Sequence, residues 1–136
     1  MDLTALRDAV LPDVRSVVPD LWWLAAFGSQ ARGDANVDSD VDLALLAARP
    51  VPAPDRIRLA ADLGATLGRD VDVVDLRTAD AVLRVRAVAE GRELWSDRSL
   101  ATETYLSVAY SDYARLEEER AAIVRDVVAR GSVHGR

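Results

Sequence analysis

The chain has 136 residues, half of them hydrophobic and 29% charged, with a formal net charge of -6 and no cysteine. That length holds one domain with a single core, and the missing thiols exclude disulfides and thiolate zinc sites. The acidic balance argues against a sequence-independent grip on nucleic acid, and no apolar run approaches the roughly 20 residues of a membrane span.

The first segment carries Asp2 and Asp8 without a basic flank and a long apolar stretch, so no signal peptide and a cytoplasmic location are expected. Leu3, Leu6, Val10, Val14 and Val17 recur at helical spacing, with Pro12 bending or interrupting the helix. Pro19-Asp20 marks a turn. Leu21 to Phe27 is a continuous apolar run, short enough for a buried strand. Gly28 to Ser39 is a polar, glycine-bearing loop with room for one helical turn, and Val41 to Ala47 reads as a second strand. Pro50, Pro52 and Pro54 stiffen the next connection, and Asp55 is the expected N-cap of a helix that ends near Gly68. Val71 to Leu76 is the third strand. A helix from Thr78 or Asp80 stops near Gly91, Glu93 to Trp95 forms a short edge strand, and a long last helix follows Ser96. Leu106, Tyr110, Tyr113, Leu116, Val124 and Val127 share one face of that helix. The order predicts an α/β domain with a small mixed central sheet flanked by helices.

The chemistry concentrates in residues 28 to 42. Gly28-Ser29 is a small-residue turn that lets a phosphate approach the backbone, and the Ser29 hydroxyl can donate to it. Arg32 can clamp a triphosphate with two parallel hydrogen bonds. Alternation along a strand puts Asp40 and Asp42 on one side, about 7 Å apart at Cα, with Val41 and Leu43 turned to the core. Such a pair repels itself unless a cation sits between the carboxylates. Oxygen donors, with His134 the single histidine, favour Mg²⁺ or Mn²⁺ over zinc. Taken alone, Asp-Val-Asp is a weak signal that reads more readily as a solvated acidic loop entering a strand. The turn is neither a Walker A loop nor a Gly-x-Gly-x-x-Gly fingerprint. On the third strand Asp72 and Asp75 face opposite sides. An acid buried within Val-Asp-Val-Val is costly without a use, so Asp72 is the candidate third carboxylate and Asp75 is expected at the strand end facing solvent.

Gly28-Ser29, ten residues, then Asp40-Val41-Asp42 resembles the Gly-Ser-x10-Asp-x-Asp signature of the DNA polymerase β-like nucleotidyltransferase superfamily. The fuller string Gly-Ser-Gln-Ala-Arg-Gly-Asp, with Ser39 to Leu43, is similar to its minimal nucleotidyltransferase branch, the MntA-like antitoxins. Val71 to Leu76, Leu83-Arg84, Glu90 to Trp95 and the last helix extend the likeness to nearly the whole chain. The resemblance implies one nucleotidyltransferase domain over residues 1–130, with its last helix at about 98–130 and a disordered tail at 131–136. It implies Asp40, Asp42 and Asp72 as Mg²⁺ ligands and catalytic carboxylates, and Gly28, Ser29 and Arg32 as the ATP phosphate site. It implies a heteromeric complex with a helical HEPN-domain RNase toxin, neutralised by AMP transfer from ATP onto a tyrosine.

Two other functions remain open on the residues alone: an antitoxin that masks its partner without catalysis, and a nucleotidyltransferase acting on a small molecule such as an aminoglycoside. Trp22 and Trp23 are read as one core and one surface or interface residue. Tyr105, Tyr110 and Tyr113 are read as packing or partner contacts, Glu117 to Glu119 as a solvated face, and His134 has no assigned role.

Overall fold

A computed structural model describes residues 2–28 and 39–133. The order of elements is α1 (Leu3–Val17), β1 (Leu21–Phe27), β2 (Val41–Ala47), α2 (Ala53–Leu67), β3 (Val71–Asp75), α3 (Ala81–Glu90), β4 (Arg92–Ser96) and α4 (Leu100–Val133). The strands form one sheet in the order β3-β2-β1-β4, with β1 antiparallel to both β2 and β4, and β2 parallel to β3.

The sheet has a layer of helices on each face, which is why β1 and β2 are almost continuously apolar. Leu24, Ala26, Val41, Leu43 and Leu45 pack with Leu6, Val10 and Val14 of α1 and Leu59 and Leu63 of α2. The alternate residues Trp23, Ala25, Ala44 and Leu46 pack with Ala87 and Val88 of α3 and Leu106 and Ala109 of α4. Asp2 caps α1 by accepting from Ala5 N at 2.7 Å, and Asp80 caps α3 by accepting from Leu83 N at 2.8 Å. Gly68 ends α2 in the left-handed conformation (φ 67°), its N–H donating to Gly64 O at 2.8 Å.

Several expectations are corrected. α1 runs through Pro12 without interruption, so of the two expected effects of this proline only a bend is left. The cap position of α2 is held by Pro52, with no side-chain hydrogen bond, and Asp55 lies inside the first turn. Proline is tolerated there because the first helical N–H groups have no partner within the helix. The last helix continues to Val133 rather than stopping near residue 130, and residues 134–136, His134 included, lie outside the described ones. Of the six residues expected to share a packed face of α4, Leu106 alone is buried. A helix of 34 residues spans about 51 Å, while a seven-residue strand spans about 23 Å, so the sheet covers less than half of it.

Trp23 is the core tryptophan: 2% exposed, with its Nε1 donating to Glu93 Oε2 at 2.9 Å. Trp22 is half-buried beneath the Arg77 guanidinium, 5.0 Å from its ring centroid. Arg77 also donates from Nε to Ala47 O at 2.6 Å. Among the described residues no helix is long and apolar enough to cross a membrane.

Candidate active site

Pairing between β2 and β3 puts Asp42 directly opposite Asp72, and pairing between β1 and β2 puts Phe27 opposite Asp42 from the other side. Asp42 shares a face with Ala44 and Leu46, so it looks toward the α3–α4 layer, at the end of β2 that this layer leaves open. It is half-buried, whereas Asp72 is exposed. Adjacent strands lie about 4.8 Å apart, and two ionised carboxylates at that separation repel.

The turn after β1 is built against the same carboxylate. Gly28 has φ 68°, and a Cβ placed on it would sit 2.6 Å from Asp42 Oδ2. Glycine is therefore required twice over, for the left-handed backbone and for the approach. Two carboxylates in register beside an open backbone turn match the preference of Mg²⁺ for one or two carboxylates, with water and phosphate completing its shell. Among the described residues no group of three or more acids or histidines is assembled as a metal site.

The remaining predicted residues fall as follows. Asp40 is exposed and precedes β2, which begins at Val41, so strand alternation does not fix its direction. It borders a second cleft of about 740 Å³ on the α2 side, with Ala60, Ala61, Gly64 and Val71. Ser29 and Arg32 lie outside the described residues.

The two acids of β3 reverse the burial expected of them. Asp75 is 2% exposed, with Oδ2 accepting from Val51 N at 2.7 Å and Oδ1 from Arg77 N at 3.0 Å. Its two oxygens latch the proline-rich connection to the end of β3 and are not turned to solvent. Asp72 is the exposed member because β3 is an edge strand and neither α3 nor α4 covers its start. The cost of burying a bare acid falls on Asp75, where two backbone N–H groups offset it.

A cleft of about 690 Å³ opens beside Gly28, lined by Phe27, Gly28, Asp80, Val82, Leu83, Arg86, Ala87 and Glu90. That volume suits a nucleotide-sized ligand. Arg86 is clamped to Glu90, from Nε to Oε2 at 2.9 Å, and this bond raises the guanidinium pKa above its ordinary value. Sequence reading missed the α3 side of this cleft. The only signal was an i, i+4 Arg-Glu pair on a short helix, which elsewhere marks a surface ion pair.

Comparison with known proteins converges on one family. A family model described as polymerase beta nucleotidyltransferase matches residues 19–99, the stretch from β1 through β4. The protein adenylyltransferase MntA of Shewanella oneidensis is 38% identical over 123 residues, 90% of this chain and 88% of that protein. A crystal structure of a toxin–antitoxin with AMP-PNP contains a chain that superposes with a TM-score of 0.74 at 35% identity, covering 90% of this chain and 98% of that one. A structure of tri-AMPylated Shewanella oneidensis HEPN toxin in complex with MNT antitoxin gives a TM-score of 0.70 at 32% identity, over 93% of this chain and 98% of the matched one.

Proposed function

The chain belongs to the polymerase β nucleotidyltransferase family, and on that premise we propose that it is a protein adenylyltransferase that moves AMP from ATP onto a partner protein. The acceptor is a tyrosine hydroxyl of a HEPN-domain RNase toxin, held in a heteromeric complex, and the modification makes this protein the antitoxin. Support comes from relatives of nearly equal length: one is an adenylyltransferase, one was solved with AMP-PNP, and one with an AMPylated toxin. The observation that carries the reading is the register of Asp42 with Asp72 against the backbone of Gly28.

In this scheme Asp42 and Asp72 hold a divalent cation, Mg²⁺ or Mn²⁺, and Asp40 adds a further oxygen ligand. When bound, that cation lowers the pKa of the attacking hydroxyl and neutralises charge on the departing pyrophosphate. Gly28 keeps side-chain atoms away so that a phosphate can reach the backbone amides, and Ser29 and Arg32 are assigned to the phosphate oxygens. The acceptor oxygen bonds to the α-phosphorus as the bond to the bridging oxygen breaks and pyrophosphate leaves. Asp72, the more exposed acid, takes the proton of the attacking hydroxyl. The cleft beside Gly28 receives the nucleoside.

Incubation with a purified HEPN-domain partner and ATP labelled at either the α- or the γ-phosphate tests this. Label on the partner from α-labelled ATP alone is the expected result. Transfer from γ-labelled ATP, or a stable complex that never acquires label, contradicts it.

A further inference from the structure

One wall of the cleft beside Gly28 is the side of α3 that carries Val82, Leu83, Arg86, Ala87 and Glu90, residues three and four apart and so on one face. The end of that helix is pinned to β1. A Cβ on Gly91 would collide with Ala87 O and come within 3.4 Å of Ala26 O, and the next residue, Arg92, pairs with Ala26. The last turn of α3 is thereby held level with Ala26, which brings the Arg86–Glu90 pair to the Gly28 end of the cleft.

The charges here oppose a nucleotide except at one residue. Among the described residues that line the cleft, Asp80 and Glu90 are acidic and Arg86 is the one cation. Asp42, against Gly28, and Asp72, in register with it, add carboxylates at the same corner. The C-terminal end of α3 turns the negative pole of its helix dipole the same way. A triphosphate brings several more negative charges, and a divalent cation offsets only part of the total. Asp80 is engaged with its own helix, accepting from Leu83 N at 2.8 Å, which leaves the balance to Arg86 and Glu90.

Glu90 grips the guanidinium from one side, with Nε donating to Oε2 at 2.9 Å and Nη2 to Oε1 at 3.5 Å. The two side chains are 54% and 45% exposed, so a ligand in the cleft can reach both. An ion pair so open to water contributes little to stability, whereas a guanidinium meets a phosphate through two parallel charge-assisted bonds. We propose that Arg86 is a substrate-binding residue of this cleft: Glu90 aligns it before ATP enters, and it then exchanges that carboxylate for the α-phosphate. The α-phosphate is the group joined to the nucleoside, so it lies where the cleft meets the Gly28 turn. Glu90 is a positioning residue whose carboxylate competes with the substrate for the same guanidinium. The exchange rests on the nucleotidyl-transfer reading, but it is measured by binding, without transfer.

The test is calorimetric titration of the full chain with ATP and with adenosine, in Mg²⁺ and without a partner protein. Arg86→Gln should weaken ATP about tenfold and leave adenosine within about twofold. Glu90→Gln should tighten ATP by about two- to fivefold. Both variants break the same ion pair, so a purely structural role would move ATP affinity in one direction for both. In the Arg86→Gln background most of the gain from Glu90→Gln should vanish, because no guanidinium remains to be released. If thermal melts show that Arg86→Gln loosens α3, Arg86→Met, with a good helix former, carries the same expectation. Unchanged ATP affinity in Arg86→Gln overturns the proposal, as do weakening by both single variants and equal loss of ATP and adenosine. An equal gain from Glu90→Gln in both backgrounds would be simple repulsion and overturns the exchange. All of these outcomes leave the nucleotidyl-transfer reading standing. A wild type that binds neither ATP nor adenosine overturns that reading and the exchange with it.

Discussion

A Cβ on residue 28 would lie 2.6 Å from Asp42 Oδ2, so the turn after β1 and the first carboxylate of β2 are fitted to each other. Substituting Gly28→Ala forces both to move. The left-handed backbone costs alanine about 1 kcal/mol, which a domain of this size tolerates. Displacing Asp42 by a fraction of an ångström to an ångström is expected to reduce AMP transfer about 100-fold. Steady-state kinetics beside a thermal melt separates the two effects. A variant that melts early but turns over normally would place the strain elsewhere.

Asp42 and Asp72 oppose each other across β2 and β3, a register in which two ionised carboxylates repel unless a cation or another partner offsets their charge. Asp72→Asn should raise stability in chelator by about 0.2–1 kcal/mol, the scale of cross-strand pairs. It should also reduce the gain that Mg²⁺ or Mn²⁺ gives the wild type. Chemical denaturation with EDTA and with Mg²⁺ provides the comparison, and equal Mg²⁺ stabilisation of both proteins would contradict the pairing.

Asp75 behaves differently. Its removal leaves the N–H groups of Val51 and Arg77 without their acceptor, and Asp75→Ala should cost about 2–3 kcal/mol of stability. Transfer by the fraction that remains folded should stay within a few fold of the wild type. Equilibrium denaturation and active-site-normalised rates decide this, and loss of transfer in a fully folded Asp75→Ala would move the third carboxylate to this residue.

Asp97 gives a pH signature. Desolvation alone would raise its pKa, but hydrogen bonds from Ser99 N at 2.9 Å and the Thr102 hydroxyl at 2.8 Å outweigh it and hold the carboxyl below its ordinary value. A folded-state pKa below the unfolded one stabilises above the unfolded pKa, and the benefit is lost as pH falls through the folded value. Because Asp97 is exposed, solvent screening discounts the effect, and Asp97→Ala should cost only a few tenths of a kcal/mol, roughly the low end for exposed pairs, at neutral pH. The difference should close as pH falls below the ordinary carboxylate range. Urea titrations across that range measure it, and a gap that persists in strong acid would mean that the loss is one of packing rather than charge.

Much of the fold was legible because each element carries a local signal: helical spacing in α1 and α2, unbroken apolar runs in β1 and β2, and the edge strand at Leu94. Strand order and register were not, since they depend on contacts far apart in sequence. That gap explains the reversal at Asp72 and Asp75. Alternation says that they face opposite ways, but only the parallel pairing with β2 tells which side α2 and the Val51 connection cover. Asp55 failed as a cap because a proline pair can start a helix without one. In the candidate site, the closeness of Gly28 and Asp42 agrees with what their spacing suggested, and the α3 wall was not legible, because Arg86 and Glu90 look like any surface pair until β1 brings Phe27 beside them.

The most direct test of adenylyl transfer is the intact mass of a HEPN-domain partner after incubation with ATP and Mg²⁺, using wild-type protein and a folded Asp42→Asn variant. The wild type should add whole AMP units to a tyrosine, and the variant should add none while still forming the complex. AMP addition by Asp42→Asn at the wild-type rate would contradict the assignment of this carboxylate, and an unmodified partner after complete complex formation with the wild type would contradict the transfer itself.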